Sequence, residues 1–306
     1  MKKYDCLALG EALIDYIPTE QKICGQYKSA VGGAPLNVAM GFGKLGGKTA
    51  LISRVGHDPL GAEIIRTLKD GHVDSAMVQV DHERHTPVTI VLPDTEDMMR
   101  YIIYRENCAD SALEPAEIPE GIFTETYVLH TGVLLCAFPH TAETVKKIVG
   151  DAKRQGALIS LDVNMRIWCW QSTEKMVAES MELAEMSDII KLTHEEAEMM
   201  KLPVESCAKE GKLILVTNGA EDVRIYWRGQ LFKKPVEQVR VVDVTGAGDA
   251  FMSAFLYQYI SYLKSGAEIG PGEIDRCTDI AVRAGCHAVQ TLGAHSSYPT
   301  YEDIFE

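Results

Sequence analysis

The segment DVTGAGDAF, which runs from Asp243 to Phe251, carries the most information about the fold and chemistry of this chain. An apolar run, RVVDV, leads into it, and a helix-like segment, AFMSAFLYQYISYL, follows. Gly246 and Gly248 permit a tight turn and leave the amide N–H groups that open the helix accessible to a ligand. Asp249 falls at the first helical turn, within reach of a group that those N–H groups polarise. The segment therefore predicts an anion hole and an acid/base carboxylate in one turn.

For the tetrapeptide GAGD alone, a simple helix cap remains an open alternative, because aspartate is common at helix starts. The complete string is more specific, and it resembles the C-terminal signature of the ribokinase-like (PfkB) family of carbohydrate kinases. This resemblance implies that Asp249 is the catalytic base. It also implies that the amides of Gly246, Ala247 and Gly248 hold the transferring phosphoryl group.

Composition limits the classes of function. The 306 residues are 46% hydrophobic, enough for one large α/β core or two smaller ones. The net charge of −14, from 30 basic and 44 acidic side chains, disfavours a nucleic-acid partner, whose binding would depend on phosphate neutralisation. Anionic substrates remain compatible, since Mg²⁺ and helix N-termini supply local positive potential.

The eight cysteines are scattered without a CxxC pair, so neither a zinc site nor a disulfide framework is expected. The N-terminal segment MKKYDCLALGEALIDYIP is interrupted by acidic residues and is interpreted as a core strand running into a loop rather than as a signal peptide. No stretch approaches 18 uninterrupted apolar residues. We therefore expect a soluble, cytoplasmic protein with no membrane partner.

Strand-like and helix-like segments alternate along most of the chain, as in TALISRVG followed by DPLGAEIIRTLKDG. This rhythm predicts a mainly parallel sheet with helices on both faces and ligands at the carboxyl ends of its strands. Two extended runs, TPVTIVLPD and MMRYIIYRE, flank the turn-prone PDTED and predict a hairpin. With the family resemblance, the expected fold is one ribokinase-like three-layer α/β/α sandwich over residues 1–306, with a small β-sheet lid formed by about 12–30 and 77–108.

A second string, GGAPLNVA, marks the expected sugar end. Gly32 and Gly33 permit close backbone approach to a polyhydroxylated ligand, and Asn37 offers one donor and one acceptor to a hydroxyl pair. Asp15, after a strand in GEALIDYIP, can accept from sugar hydroxyls. A glycine loop feeding a core helix, and a plain turn aspartate, are the open alternatives.

GEALID followed by GGAPLNVA resembles the N-terminal half of the same family, most closely its fructokinase and 2-keto-3-deoxygluconate kinase members. Ribokinases usually carry a lysine after the glycine pair, where this chain has Ala34 and Pro35. The resemblance thus spans nearly the whole chain and depends on two specific motifs far apart in sequence.

Two further segments fit the sugar end. RYIIYRENCAD resembles the YR segment of these kinases and places Arg100, Tyr104 and Arg105 on the lid, where arginine can hold a carboxylate or phosphate and tyrosine can pack on a sugar face. Alternating exposed hairpin residues are the plain alternative. DVNMRIWCW resembles the family's DxNxRxxLW stretch, which implies that Asn164 and Arg166 face substrate or phosphates.

The nucleotide end depends on three partial matches. KLTHEEAE resembles NxxE, in which the glutamate, here Glu196, organises Mg²⁺ and phosphates through water; Thr193 stands where asparagine is usual, and a helix cap is the alternative. VTNGAED resembles TxGxxG, with Asp222 replacing the last glycine, and TLGAHSSYP resembles GAxxSxP, beside the adenine and a monovalent-cation site. The resemblance implies a nucleotide-binding set of Lys191, Thr217, Gly219, Gly246 and Gly248, and cation neighbours Asp243, Thr245 and Ser297.

These observations predict an ATP-dependent sugar kinase that uses Mg²⁺, with K⁺ as an optional cofactor. Fructose is the first expected substrate, 2-keto-3-deoxygluconate the second, with its carboxylate held by Arg100, Arg105 and Arg166, and aminoimidazole riboside the third. A non-catalytic sugar-binding regulator is the rival class, disfavoured by the intact GAGD. No GxGxxG follows the first strand and no GxxxxGK[ST] occurs, which argues against a dinucleotide oxidoreductase and a P-loop kinase. Exposed lid strands favour a homodimer through paired lids.

Overall fold

The computed structural model describes residues 2–93 and 101–305. The strands found in these residues are β1 (Tyr4–Leu9), β2 (Leu13–Pro18), β3 (Tyr27–Gly32), β4 (Thr49–Gly56), β5 (Val73–Asp74), β6 (Val78–Asp81), β7 (Val88–Val91), β8 (Tyr101–Tyr104), β9 (Thr126–Gly132), β10 (Leu158–Asp162), β11 (Ile189–Thr193), β12 (Leu213–Thr217), β13 (Val223–Trp227) and β14 (Gln230–Lys234). The α-helices are α1 (Ala34–Lys44), α2 (Pro59–Asp70), α3 (Pro139–Arg154), α4 (Thr173–Met186), α5 (His194–Met200), α6 (Val204–Lys209), α7 (Ala247–Ser265), α8 (Pro271–Ala288) and α9 (Tyr301–Phe305).

The large sheet has the strand order β14-β13-β12-β11-β10-β9-β1-β4-β5, and β6 also pairs with β4. Neighbouring strands from β12 to β5 are parallel, and β13 and β14 add an antiparallel hairpin at one edge. The prediction of a mainly parallel central sheet is confirmed. The strands that form its centre are apolar runs buried along their length, as expected for a sheet covered on both faces.

Helices cover both faces of this sheet, and β1 shows how. Leu7 and Leu9 pack in a cluster that includes residues of α3 and α4, whereas Cys6, next to Leu7 in the strand, packs with residues of α1, α7 and α8. Because successive side chains of a strand point to opposite faces, one strand serves both layers. The result is the expected three-layer α/β/α sandwich.

The small second sheet has the order β3-β2-β7-β8. The pairs β2–β3 and β7–β8 are antiparallel, while β2 and β7 are parallel. Two details differ from the sequence expectations. The residues after β1, expected as a loop, form β2, because β3 and β7 supply ladder partners on both of its sides. Within the range 77–108 expected for the lid, β6 instead pairs in parallel with β4 of the large sheet.

None of the helices in residues 2–93 and 101–305 combines the length and the apolar character needed to cross a membrane.

Candidate active site

The candidate site lies where the parallel strands β10, β11 and β12 end, beside the N-terminus of α7. Asp162 is the last residue of β10, and it lies opposite Lys191 in the register with β11. Thr217 ends β12. Carboxyl ends of adjacent parallel strands meet at one edge of a sheet, so segments far apart in sequence converge here.

The GAGD turn forms as predicted. Gly246 has a left-handed backbone (φ 79°) and precedes the first residue of α7. A Cβ at this position would overlap the hydroxyl of Tyr298, so glycine is required for both conformation and space. The N–H of Ala247, which the family resemblance placed in the anion hole, instead donates to the carbonyl of Val244 at 3.3 Å. The N–H groups of Gly246 and Gly248 have no acceptor in the described part of the chain, which leaves them as donors for an anion at a helix N-terminus.

Asp249 is in the first turn of α7 and is 7% exposed. Its Oδ2 accepts from Nδ2 of Asn37 at 2.9 Å. Burial, together with the negative charge of Asp162, raises the pKa of Asp249 to about 7, against the opposing effects of the Asn37 hydrogen bond and the positive charge of Lys191. A carboxylate with a pKa near neutrality is suited to accept and return a proton at physiological pH.

Lys191 and Asp162 form a buried ion pair directly beneath this turn. Nζ of Lys191 lies 3.1 Å from Oδ1 and 2.9 Å from Oδ2 of Asp162. A Cβ on Gly248 would lie 2.6 Å from that Nζ, so the glycine makes room for the ammonium group. Burial alone would lower the pKa of Lys191, but the carboxylates of Asp162, Glu196 and Asp249 outweigh it and raise that pKa. Lys191 therefore places a full positive charge close to the predicted anion hole.

The glycine pair of α1 packs against the small sheet as its sequence suggested. A Cβ on Gly32 would overlap Oδ2 of Asp15. A Cβ on Gly33, whose φ is 118°, would overlap the backbone carbonyl of Glu11. Burial raises the pKa of Asp15 to about 6, and the charge of Arg166 acts in the opposite direction. The predicted sugar-end residues Asp15, Gly32, Gly33 and Arg166 are thus neighbours in space.

Asn37 and Asn164 occupy more constrained positions than the sequence indicated. Nδ2 of Asn37 is used by Asp249, and its buried Oδ1 has no partner in residues 2–93 and 101–305. That oxygen remains free to accept a substrate hydroxyl. Asn164 lies just after β10 with a left-handed backbone (φ 38°), which asparagine tolerates better than most residues. Arg166, two residues on, is exposed, and its charge acts on both Asp15 and Asp249.

The lid side chains divide into different environments. Arg100 lies outside the described residues. Tyr104 is 59% exposed on β8, whereas Arg105 is 3% exposed, forms an ion pair with Asp110 and lies over the ring of Phe138 at 5.2 Å. The interpretation of Arg105 as an exposed hairpin residue is wrong, because the carboxylate of Asp110 and an aromatic face draw its guanidinium into the interior.

An aromatic contact between the lid and the loop after β10 comes from Tyr101, a residue for which the sequence predicted no role. Its ring stacks on Trp168 with centroids 4.9 Å apart. The sequence YIIY gave only a weak indication of this contact. In a strand, Tyr101 and Ile103 point to one face of β8, and Ile102 and Tyr104 point to the other, so either tyrosine could have faced the large sheet.

Glu196 forms the capping box that was the alternative interpretation of THEE. Its Oε2 accepts from the N–H of Thr193 at 2.8 Å, and its own N–H donates to Oγ1 of Thr193 at 3.2 Å. Its Oε1 accepts from the N–H of Met165 at 2.6 Å, which ties α5 to the loop after β10. Each carboxylate oxygen retains a lone pair, so the structural role leaves Glu196 able to accept from a water molecule.

The remaining nucleotide-end residues lie at the edge of the same site. Gly219 has a left-handed backbone (φ 57°) with nothing within 4 Å of a Cβ position, which fits an open loop after β12. Asp243 accepts from the N–H groups of Thr245 at 2.9 Å and Gly293 at 3.0 Å. Ser297 donates to two carbonyls, those of Gly293 and Ala294, at 2.8 Å each, so the three residues predicted around a monovalent cation belong to one cluster.

Two side chains close to Asp249 were not predicted from the sequence. Asp162 is the first residue of the segment DVNMRIWCW, but nothing in the sequence near it predicts that it pairs with Lys191. Tyr298, inside GAHSSYP, places its hydroxyl 3.5 Å from Oδ2 of Asp249. A tyrosine beside proline near the C-terminal end has no local feature that predicts such a contact.

Comparisons with known proteins agree with this geometry. The family model described as pfkB family carbohydrate kinase matches residues 3–301. Fructokinase from Escherichia coli is 31% identical over 308 residues, which cover 97% of this chain and 96% of the relative. The crystal structure of fructokinase with bound ATP from Xylella fastidiosa superimposes with a TM-score of 0.88 at 25% identity, covering 100% of this chain and 98% of the other.

A double mutant of the fructokinase from Vibrio cholerae O395, solved with fructose, ADP and potassium ion bound, superimposes with a TM-score of 0.89 at 25% identity, covering 99% of this chain and 98% of the other. The family match spans almost the entire sequence, and the structural similarity includes both sheets. The chain therefore belongs to the PfkB family of carbohydrate kinases.

Proposed function

We propose that the protein is an ATP-dependent fructokinase that converts fructose to fructose 6-phosphate. The observation that carries this proposal is the buried Asp249 beside the free N–H groups of Gly246 and Gly248 at the start of α7. A base and an anion hole so close together suit the transfer of a phosphoryl group to a hydroxyl.

In the proposed reaction, the carboxylate of Asp249 takes the proton of the primary hydroxyl as that oxygen attacks the γ-phosphorus in line. The new O–P bond forms while the bond to the β-phosphate oxygen breaks, and ADP leaves with the electron pair of that bond. The N–H groups of Gly246 and Gly248, with the ammonium of Lys191, stabilise the charge on the equatorial oxygens. The small sheet excludes water, which would otherwise accept the phosphoryl group.

Fructose is favoured over 2-keto-3-deoxygluconate by the names of the relatives and by one structural detail. The second substrate carries a carboxylate that an arginine would have to hold. Arg105 is already neutralised by Asp110 in the interior. Arg166 shares its charge with Asp15 and Asp249. A neutral sugar is the better match for such a site, with Asp15 and Oδ1 of Asn37 accepting its hydroxyls. Aminoimidazole riboside remains the third candidate.

The residues at the nucleotide end fit Mg²⁺ carried by ATP rather than a metal held by the protein alone. No group of three or more histidine, cysteine, aspartate or glutamate side chains with metal-binding geometry exists among the described residues. Glu196 would accept from a metal-bound water, as its remaining lone pairs allow. The bound ion would neutralise phosphate charge. We also propose a K⁺ site at Asp243, Thr245 and Ser297, supported by the convergence of these residues.

Two further proposals concern the setting of the enzyme. The small sheet ends at β3 and β8, and strand edges of this kind are usually covered, so we propose a homodimer through paired lids, to be tested by sedimentation velocity. We also propose that the enzyme acts in the cytoplasm, where ATP is available.

The direct test measures ADP release with ATP and Mg²⁺ against fructose, 2-keto-3-deoxygluconate, ribose and aminoimidazole riboside. Asp249→Asn should lower kcat by about 10² to 10⁴ while sugar binding remains. Asp279→Asn, a surface carboxylate on α8 paired with Lys234, is the matched control and should retain full activity. Saturable sugar binding without turnover of any sugar would instead support the regulator class.

A further inference from the structure

The carboxylate of Asp249 is held asymmetrically. Oδ2 faces two donors, Nδ2 of Asn37 at 2.9 Å and the hydroxyl of Tyr298 at 3.5 Å. For Oδ1, the described part of the chain supplies no hydrogen-bond partner. One oxygen is therefore fixed by the protein and the other is left for the substrate.

We propose that Tyr298 is a positioning residue which, together with Asn37, fixes Oδ2 of Asp249 so that Oδ1 is the oxygen that takes the proton of the sugar hydroxyl. This inference depends on the proposed kinase activity but not on which sugar is used.

The hydroxyl of Tyr298 has no purely structural explanation. The side chain is 3% exposed and packs against Ala250 and Ala288, an environment that phenylalanine would fill equally well. A buried hydroxyl without a partner costs free energy, and its one partner in residues 2–93 and 101–305 is the base. At 3.5 Å the contact is long for a hydrogen bond, and contacts of this kind tighten when substrate binds.

A single helix, α1, sets both donors. It carries Asn37, which bonds the base directly. One turn further on, a Cβ added to Gly41 would lie 3.1 Å from the ring of Tyr298, so the ring packs closely on the helix there. At its last residue, Nζ of Lys44 donates to the backbone carbonyl of Tyr298 at 3.1 Å. Residues 37, 41 and 44 share one helix face, which explains how the two donors stay in register with each other.

Tyr298 also contacts the turn that forms the anion hole. Its hydroxyl lies against Gly246, at a point where a Cβ would overlap it. The hydroxyl therefore touches the base and the turn at once. A shift of either would disturb the alignment between the attacking oxygen and the phosphoryl group, and small errors of this kind reduce turnover strongly.

The test is Tyr298→Phe, with Tyr259→Phe, a half-buried tyrosine of α7 that stacks on Phe255, as the control. We expect kcat of Tyr298→Phe to fall about 10- to 150-fold, as for the loss of a hydrogen bond to a charged group, with KM for sugar and ATP changed less than about twofold. The control should keep its kcat. An unchanged kcat, or a rise in KM alone, would overturn the proposal and leave Tyr298 as a packing residue.

A pH profile provides a second readout that packing alone would not move. The charged groups facing Asp249 are Asp162 at the end of β10, Arg166 in the loop after β10, and Lys191 on β11. The substitution alters none of them. Because the lost hydroxyl stabilises the ionised base, the acid limb of kcat should move to higher pH by about half a unit. A limb at the wild-type position would contradict the proposal.

If Tyr298→Phe does not fold, 3-fluorotyrosine at position 298 keeps the shape of the side chain and is a stronger donor. It should move the same limb to lower pH, and an unmoved limb would again overturn the inference. All ratios are measured on the sugar that the wild type turns over fastest. Failure of fructose therefore refutes the substrate proposal alone, while the ratio between variant and wild type decides the role of Tyr298.

Discussion

A change of pH from 8 to 6 should reduce kcat about tenfold, because Asp249, the proposed base, must be ionised to accept a proton. The structure raises the pKa of Asp249 to about 7 through burial and the nearby charge of Asp162. With that pKa, roughly nine tenths of the enzyme carries an ionised base at pH 8 and roughly one tenth at pH 6. An aspartate with an ordinary pKa would be ionised throughout this range and would give no change.

The assay is ADP release under saturating MgATP and sugar, so that kcat rather than substrate binding is followed across pH 5.5 to 8.5. Ionic strength is held constant, because screening alters the interaction between Asp249 and its charged neighbours. A second series with Asp162→Asn tests the cause of the shift. Removal of that negative charge lowers the pKa of the base, so the acid limb should move to lower pH.

A profile that is flat between pH 5.5 and 8.5 would refute the reasoning, since it would mean that Asp249 titrates at its ordinary pKa or is not the base. A limb near pH 7 that stays in place in Asp162→Asn would leave burial as the sole cause of the raised pKa. It would also contradict the electrostatic link between the ion pair and the base.

Three further predictions follow from the same contacts. Gly33→Ala should lower the free energy of unfolding by about 1–3 kcal/mol in denaturant titration and raise KM for sugar. The backbone of Gly33, at φ 118°, is strained for alanine, and the added Cβ would meet the backbone carbonyl of Glu11. The control is Gly272→Ala on α8, where the added Cβ enters open space and should not destabilise the protein. Lys191→Met should lower the free energy of unfolding by about 3–5 kcal/mol, because Asp162 is left as an unpaired buried carboxylate. The double variant Lys191→Met with Asp162→Asn should recover part of that loss. Equal midpoints of thermal unfolding for the single and the double variant would contradict the pairing. Asp249→Asn should raise the free energy of unfolding at pH 8 by up to about 4 kcal/mol. The reason is that a carboxyl whose pKa is raised from 3.8 to about 7 in the folded state destabilises the folded protein as the pH rises from about 4 to 7, and asparagine removes this effect. A gain in stability that does not shrink as the pH is lowered toward 4 would contradict this explanation.

The sequence by itself determined the elements whose signals are local. The GAGD turn, the glycine pair before α1 and the capping box of α5 each depend on residues within a few positions of one another. The alternation of strands and helices likewise predicted a mainly parallel sheet, because periodicity and turn residues act over short distances. These features were enough to place Asp249 at a helix start and the family's motifs at strand ends.

Only the tertiary structure decided which side chains meet. Asn37 and Asp249 are 212 positions apart, and Tyr298 lies 49 positions beyond the Asp249 carboxylate that it contacts. The pairing of Lys191 with Asp162 follows from the register of two strands, and Arg105 is drawn inside by Asp110. Such contacts are selected by packing and by the cost of burying unpaired polar groups, neither of which leaves a pattern in the local sequence. A local motif thus places Asp249, the proposed base, at a helix start, and the folded core sets the pKa and orientation of its carboxylate.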